Sequence, residues 1–223
     1  MAMGVYVTER KLNEMSRRQL AEKEIENAPL RHIAEAHLPT RFGDFMLHIF
    51  RDAHGFEHMA IVAGEPENKC LVRIHSECAT GDIFGSLKCD CRDQLETSLK
   101  KIAEAGQGLL IYLRGHEGRG IGLGNKIRAY ALQDGGMNTV EANLRLGFPV
   151  DDRDYDSAVG ILQFFGLNSV RLLTNNREKI EALESSHIHI IERVPLWTSS
   201  NPHNEDYILT KQKVLGHLTG CQK

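Results

Sequence analysis

Three of the five cysteines form a cluster with the spacing C-x10-C-x-C, at Cys78, Cys89 and Cys91. In an extended segment, side chains two residues apart point to the same side, so Cys89 and Cys91 can converge on one ion. Thiolates are soft ligands that favour zinc, and three protein ligands leave the fourth position for water. The spacing predicts a zinc site; reduced, packed cysteines or a redox pair are the alternatives.

The other cysteines and nearby polar residues bear on what kind of site this is. A closed structural zinc site would need a fourth protein ligand, for which His75, Asp90 and His116 are candidates. Cys70 and Cys221 stand apart and are interpreted as a packed thiol and an exposed tail thiol. Because the cysteine count is odd and three of them cluster, we expect no disulfide framework and a reducing, cytosolic environment.

A glycine-rich segment, GHEGRGIGLG (115–124), follows the apolar run GLLIYL (108–113) and precedes NKIRAYALQD (125–134). Glycines between a strand and a helix let backbone N–H groups turn towards a phosphate, and the helix dipole favours the negative charge. The segment lacks the G-K-[ST] ending of a P-loop and the distant acid of a dinucleotide fingerprint. It indicates an anion site without defining the ligand.

The elements that must position these residues are read from hydrophobic periodicity. FMLHIFRDA (45–53) and HMAIVAG (58–64) predict a β-hairpin. Beyond Leu71 the pattern alternates: strands are predicted at 71–76, 108–113, 170–174 and 188–194, and helices at 93–105, 125–134, 156–165 and 177–185. Gly106 is the expected C-cap of the first helix and Asp156 the expected N-cap of the third.

The fold class that follows is α/β (α+β): a mixed β-sheet with flanking helices and a β-rich N-terminal part. Residues 6–27 are polar and predict a surface helix or a loose extension, with a partner-binding helix as the alternative. A short helix is expected near the C-terminus.

Composition limits the function classes. The 223 residues carry a net charge of −3 and a pI near 6.4, so the basic surplus of a nucleic-acid-binding protein is absent. No apolar run approaches the roughly 18 residues that a membrane span needs. We therefore expect a soluble, cytoplasmic protein with no nucleic-acid or membrane partner.

Six blocks together carry a family resemblance. They are RIHSECATGD (73–82), SLKCDCRDQL (86–95), the 115–134 segment, NTVEAN (138–143), DDRDY (151–155) and RLLTNNREK (171–179). Their order and intervals resemble GTP cyclohydrolase II from about Leu38 to Leu218. The resemblance implies a single catalytic domain over 36–223 behind an extension of 1–35, and a homodimer.

The activity that the resemblance implies is the zinc-dependent hydrolysis of GTP in riboflavin biosynthesis. The products would be formate, pyrophosphate and 2,5-diamino-6-ribosylamino-4(3H)-pyrimidinone 5′-phosphate. One zinc ion per subunit would be held by the three clustered cysteines, and Mg²⁺ would arrive with GTP. A bound zinc lowers the pKa of water to about 7, which suits the attack on the guanine ring.

The resemblance also assigns residues to GTP. Tyr130 would assist ring opening, and Asp151 and Arg153 would act at the α-phosphate. The expected GTP-binding residues are Arg73, Ile74, His75, Ser76, Glu77, Gln94, Glu117, Gly118, Arg119, Thr139, Thr174 and Lys179. For Arg119 and Lys179 the alternative is a solvated surface charge.

The role of Arg153 stays open at this point. In the family, the matching arginine is proposed to attack the α-phosphorus with the matching aspartate as base. A guanidinium has a pKa above about 12 and is not normally deprotonated in proteins. Its more ordinary task is bidentate binding of a phosphoryl group. Both residues are expected to be essential under either role.

Three rival functions remain. They are a nucleotide-binding relative without turnover, a relative that stops after a partial reaction, and a zinc-stapled nucleic-acid module. The complete set of three cysteines, Tyr130, Asp151 and Arg153 argues against the first two, and the acidic balance against the third. One departure is that Gly115-His116 adds a residue before Glu117, so His116 could be a ligand, a proton carrier or an ordinary loop histidine.

Overall fold

The computed structural model describes residues 29–213 and Leu218. The predicted N-terminal helix and Cys221 lie outside these residues. A seven-stranded mixed sheet forms the centre, with the strand order β1-β2-β3-β5-β4-β6-β7. The strands are β1 (Leu30–Thr40), β2 (Gly43–Asp52), β3 (Glu57–Ala63), β4 (Leu71–Ser76), β5 (Gly108–Leu113), β6 (Ser169–Leu173) and β7 (His189–Val194).

Seven helices are described, and the longer ones flank the sheet. They are α1 (Ala79–Asp82), α2 (Cys91–Glu104), α3 (Gly122–Asp134), α4 (Thr139–Arg145), α5 (Asp156–Phe164), α6 (Arg177–Ser185) and α7 (Glu205–Lys213). The predicted fold class is confirmed, since a mixed sheet carries flanking helices in a single domain. The predicted hairpin corresponds to β2 and β3, which pair antiparallel.

Alternation along the central strands builds one core on each face of the sheet. Leu109 and Ile111 of β5 pack in one cluster with residues of α5, while Leu110 between them packs in the other with Leu99 and Ile102 of α2. Because side chains of a strand alternate between faces, an almost wholly apolar strand such as GLLIYL must be covered on both sides. The helices on either face provide that cover.

Parallel pairing fixes where the site can form. β4 pairs parallel with both β5 and β6, so the carboxyl ends of these three strands meet at one edge of the sheet. Ligands in open α/β sheets bind outside these carboxyl ends, in the crevice between the following loops. The segments after Ser76, Leu113 and Leu173 are the ones that line the pocket described below.

The structure differs from the sequence predictions in a strand that was not predicted and in one helix cap. β1 was not predicted; its eleven residues pair antiparallel with β2. The N-cap of α5 is Tyr155, without a side-chain cap, and Asp156 lies in the first turn instead. Gly106, with φ +70°, follows the C-cap residue Ala105 of α2, as expected for a helix that ends at glycine.

No helix among the described residues is long and apolar enough to cross a membrane. The predicted division into an extension of residues 1–35 and a catalytic domain of residues 36–223 stays a prediction.

Candidate functional site

One pocket at the carboxyl ends of β4, β5 and β6 gathers the predicted site residues. All of them line it except Ile74 and Asp151. Ile74 has its side chain in the core, and only its backbone carbonyl faces Lys179, whose Nζ donates a hydrogen bond to it at 2.8 Å. Asp151 reaches the site through Arg153, as described below. Tertiary structure thus joins segments more than 100 residues apart in one cavity.

The three thiols meet at one end of this pocket, called the thiol end. The Sγ atoms of Cys78, Cys89 and Cys91 all lie within 4.8 Å of one another. Cys78 follows β4 and precedes α1, whereas Cys91 is the first residue of α2. The expected extended segment is therefore wrong: the bend at Asp90 into the helix brings Cys89 and Cys91 together.

The spacing of the sulfurs fits a metal ion. Zn–S bonds of about 2.3 Å in a tetrahedron separate two sulfurs by roughly 3.8 Å. The Sγ atoms of Cys78 and Cys89 are 3.7 Å apart. Gly81 closes the space behind them, since a Cβ there would lie 2.8 Å from the Cys89 sulfur and 3.2 Å from the Cys78 sulfur. The donor set therefore suits zinc.

No fourth protein ligand accompanies the thiols among the described residues. His75 Nε2 instead lies 3.2 Å from both carboxylate oxygens of Asp82. His116 Nδ1 lies 3.1 Å from the hydroxyl of Ser76. Asp90 accepts hydrogen bonds from Lys211, Gln94 and Thr198. The three alternatives for a closed site thus have other partners, which leaves an open metal position.

Lys126 also lies at the thiol end, although the sequence analysis predicted no role for it. Its buried ammonium group donates to Cys78 Sγ at 3.1 Å and to the Glu117 carboxylate at 2.5 Å. Burial lowers the pKa of Lys126, but the Cys78 thiolate and Glu117 raise it more, so the net shift is upward. Hydrogen bonds from Cys89 and Cys91 and the charge of Lys126 hold the pKa of Cys78 well below its usual range.

A signal for Lys126 exists in the sequence. Lys126, Ala129 and Tyr130 are spaced i, i+3, i+4, so they share one face of α3. A lysine on the buried face of a helix needs a partner, because a lone buried ammonium is costly. Glu117 in the glycine-rich loop is that partner, and its other oxygen accepts from the backbone N–H of Ala79 at 2.6 Å.

Tyr130 lies beside the thiols on α3. Its hydroxyl is 3.5 Å from Thr80 Oγ1, and the ammonium groups of Lys88 and Lys126 lie 5.0 and 5.7 Å from its ring centroid. Burial raises the pKa of Tyr130 to about 12. The phenol is therefore protonated at neutral pH and can donate a proton or a hydrogen bond.

A second part of the pocket, called the cationic end, is built around Arg153. Its Nε and Nη2 donate to the two oxygens of Asp151 at 2.7 and 2.5 Å, a bidentate pair. Arg119 Nη1 lies 3.4 Å from the same carboxylate. Burial lowers the pKa of Arg153, but Asp151 raises it by more. The guanidinium is therefore a fixed positive charge.

Two further cations of this end are buried rather than solvated. Arg73 and Lys179 are each 5% exposed, so the surface-charge alternative for Lys179 is wrong. Burial, with Arg73 and Arg153 nearby, holds the pKa of Lys179 well below its usual range. Arg73 donates to the Leu173 carbonyl and to Gln94, while its buried Nε has no partner. Closely spaced cations of this kind favour an anionic ligand.

The remaining predicted residues connect the two ends. Ser76 Oγ lies 3.3 Å from Arg153 Nη1, and Glu77 accepts from the backbone N–H of Gly115 at 3.0 Å. Gly118, at φ +62°, leaves no room for a Cβ against Ile121 and Lys126. Thr139 begins α4 behind a capping box formed by Asn138 and Glu141. Thr174 follows β6 and is 1% exposed.

Tyr207 and Lys211 of α7 also line the pocket. Sequence reasoning predicted a terminal helix but gave it no part in the site. Lys211 donates to Asp90 at 2.6 Å, so α7 is tied to the residue between Cys89 and Cys91. No local pattern marks this contact, because its partners are 121 positions apart.

A pocket that joins three soft sulfur donors to several cations suits an enzyme that acts on an anionic substrate. The sequence model of the family described as GTP cyclohydrolase II matches residues 31–195. This chain belongs to the GTP cyclohydrolase II family, and its resemblance to that family is confirmed.

Named relatives agree with the family. GTP cyclohydrolase-2 of Neisseria meningitidis (strain 053442) is 52% identical over 85% of this chain and 96% of that protein. The protein of the same name from Azotobacter vinelandii is 53% identical over 84% and 91%. Riboflavin biosynthesis protein RibBA of Salinispora tropica is 50% identical, over 91% of this chain and 50% of its own length. The family model and these names support a GTP cyclohydrolase II activity for this chain.

Proposed function

We propose that this chain converts GTP to 2,5-diamino-6-ribosylamino-4(3H)-pyrimidinone 5′-phosphate, with release of formate and pyrophosphate, using one zinc ion held by Cys78, Cys89 and Cys91. The observation that carries the proposal is that one pocket is lined both by the three cysteines and by the cations Arg73, Arg119, Arg153 and Lys179. Opening the guanine ring and removing pyrophosphate need different chemistry at two ends of one substrate. The thiol end suits the first step and the cationic end suits the second.

At the thiol end, zinc when bound lowers the pKa of water to about 7 and so supplies a nucleophile at neutral pH. Lys126 places a positive charge against Cys78 and holds the Glu117 side chain beside the sulfurs by a hydrogen bond. Tyr130, protonated at neutral pH, donates a proton or a hydrogen bond to the purine as the ring opens.

At the cationic end, Arg153, Arg119, Arg73 and Lys179 bind the triphosphate, with Mg²⁺ carried in by GTP. The pairing of Arg153 with Asp151 orients its planar fork before the substrate arrives. Because Asp151 keeps this guanidinium protonated, we assign Arg153 to charge neutralisation at the α-phosphate rather than to nucleophilic attack.

The deciding experiment is an end-point assay of the zinc-replete protein with GTP and Mg²⁺. Formate, pyrophosphate and the pyrimidine product are quantified together, and zinc is measured in the same sample. Equal yields of all three products support the proposal. Pyrophosphate without formate would indicate a relative that stops part-way, and intact GTP with zinc bound would indicate a nucleotide-binding relative without turnover.

The proposal also includes four features of the protein outside the catalytic chemistry. The chain works as a homodimer, in the cytoplasm, without nucleic acid, and residues 1–35 form an N-terminal extension. Light scattering after size-exclusion chromatography measures the oligomeric state. Deletion of residues 1–28, which precede the first described strand, should leave the yields of all three products unchanged. A loss of product would show that the extension takes part in catalysis.

A further inference from the structure

Three side chains with metal-binding atoms meet on β1 and β2, and none of them lines the pocket. They are His32, Glu35 and His48. His48 Nδ1 lies 3.2 Å from His32 Nε2 and 3.1 Å from Glu35 Oε2. His32 Nε2 lies 3.7 Å from the same oxygen of Glu35. The three ligand atoms thus form a small, nearly equilateral triangle.

A β-bulge creates this arrangement. Side chains three apart in a regular strand point to opposite faces, so His32 and Glu35 would ordinarily be separated by the sheet. The pairing register of β1 shifts between His32 and Ala34, and Ile33 is the extra residue. One inserted residue turns His32 and Glu35 to the same face, where Glu35 stands directly opposite His48.

The triangle has the dimensions of a coordination shell. Zinc bonds of 2.0–2.2 Å to imidazole nitrogen and carboxylate oxygen in a tetrahedron separate the ligand atoms by roughly 3.4 Å. The three observed separations, 3.1, 3.2 and 3.7 Å, bracket this value. We propose that His32, Glu35 and His48 bind a second divalent transition-metal ion, zinc by its donor set, at the edge of the sheet.

Hydrogen bonds cannot join all three of these atoms at once, because each ring nitrogen either carries a proton or accepts one. A proton on His48 Nδ1 can serve either His32 or Glu35, yet both acceptors lie within 3.2 Å of it. Without that proton, two acceptor atoms, on His48 and Glu35, face each other at 3.1 Å. A cation at the centre of the triangle meets all three ligand atoms at once.

The surroundings orient the imidazoles and leave a route for the ion. The His32 ring stacks on Phe164, with centroids 5.0 Å apart, and the His48 ring meets the edge of Phe165 at 5.1 Å. An apolar wall on one side fixes the rings, as the shell of a metal site does. The Glu35 side chain is 56% exposed, so the fourth position opens to solvent. The ion would tie the edge strand β1 to β2.

The test counts zinc equivalents on the full chain after chelation, reloading and dialysis. We expect two equivalents in the parent protein and one in His32→Phe, which keeps an aromatic ring on Phe164. Glu35→Gln, which keeps the shape of the side chain, should also retain one. His37→Phe is the matched control, because His37 lies on the same strand, 65% exposed and outside the cluster, and it should retain two.

Zinc bound at the cysteines is distinguished from zinc bound at the proposed site by repeating the measurement with the Cys89→Ser variant. We expect one equivalent in that variant and none when His32→Phe is added, with unchanged far-ultraviolet circular dichroism. Zinc should also raise the thermal unfolding midpoint of Cys89→Ser but not of the double variant, since binding to the folded state stabilises it. The proposal would be overturned if the parent protein bound one equivalent of zinc and His32→Phe and Glu35→Gln each still bound one equivalent.

Discussion

The thiol end and the cationic end of the pocket differ in the sign of the charge that their side chains can carry. The thiol end gathers three sulfur ligands, Cys78, Cys89 and Cys91, and the ammonium group of Lys126 donates to Cys78. The cationic end gathers Arg73, Arg119, Arg153 and Lys179, with two carboxylates, Asp151 and Glu178, paired with Arg153. The cationic end has more cations than carboxylates, and the thiol end becomes negative when a metal ion displaces the protons of Cys89 and Cys91.

This difference indicates which kind of ligand each end suits. Buried charge is costly unless it is paired, so an unbalanced cluster marks a place for a ligand of opposite sign. The sulfurs suit a soft cation and the guanidinium and ammonium groups suit a polyphosphate. The two ends should therefore fail separately when they are altered one at a time.

Cys89→Ser should give the largest effect. Removing one of three sulfur ligands should abolish zinc binding at the thiol end and lower formate release by roughly 10³-fold or more, since the metal contributes several kcal/mol. Pyrophosphate release should be far less affected. Cys70→Ser, at a buried thiol outside the pocket, is the control and should keep both products. Full formate release without zinc would contradict the assignment of the metal.

Arg153→Lys tests the cationic end. Lysine keeps the charge but not the planar fork that meets Asp151 and a phosphate together. We expect pyrophosphate release to fall by about 10²- to 10³-fold while the zinc content is unchanged. Arg177→Lys, at an exposed arginine paired with Glu181, is the matched control. Near-normal turnover of Arg153→Lys would contradict both roles considered for Arg153, nucleophilic attack and charge neutralisation.

Tyr130→Phe sharpens the comparison within the thiol end. The ring and its packing remain, and only the hydroxyl that donates to the purine is lost. Formate release should fall by about 10²-fold, the lower range for a proton donor, with pyrophosphate release nearly unchanged. Assays of both products on the same sample measure the ratio. Equal loss of both would count against a role confined to the ring.

Asp151→Asn should, beside its effect on catalysis, lower the stability of the fold, and this change in stability is the smallest effect predicted. Burial raises the pKa of Asp151, but Arg153 and Arg119 lower it more, so the net shift is downward. A lowered pKa stabilises the fold above the unfolded value of about 3.9, and this contribution disappears as the pH falls through the folded value. The free energy of unfolding in urea at pH 7 should drop by roughly 1–3 kcal/mol.

The pH dependence of this loss of stability isolates the contribution of the ion pair between Asp151 and Arg153. The gap between Asp151→Asn and the parent should narrow as the pH falls below about 4. Asp152→Asn, at the exposed neighbouring carboxylate, should match the parent at every pH. A gap that stays constant with pH would show that the Asp151 side chain acts through packing instead of charge.

Much of the fold could be predicted because its signals are local. The apolar runs of β4, β5 and β6 and the helical spacing of α2 and α6 depend on neighbouring residues only. β1 was missed because its eleven residues are mostly exposed and its partner is the next strand, so no alternating apolar pattern marks it. Asp156 was misjudged as a cap because capping depends on backbone angles that residue type alone does not determine.

For the site, the sequence by itself determined which chemistry-bearing residues exist: the C-x10-C-x-C cluster, the glycine-rich loop, and the blocks that carry the family. Only the tertiary structure decided how they meet. The bend at Asp90, the pairing of Lys126 with Glu117, the burial of Lys179 and the arrival of Lys211 join distant segments. The reason is physical: a buried charge is tolerated only where a partner or ligand faces it, and the fold alone decides which residues face each other.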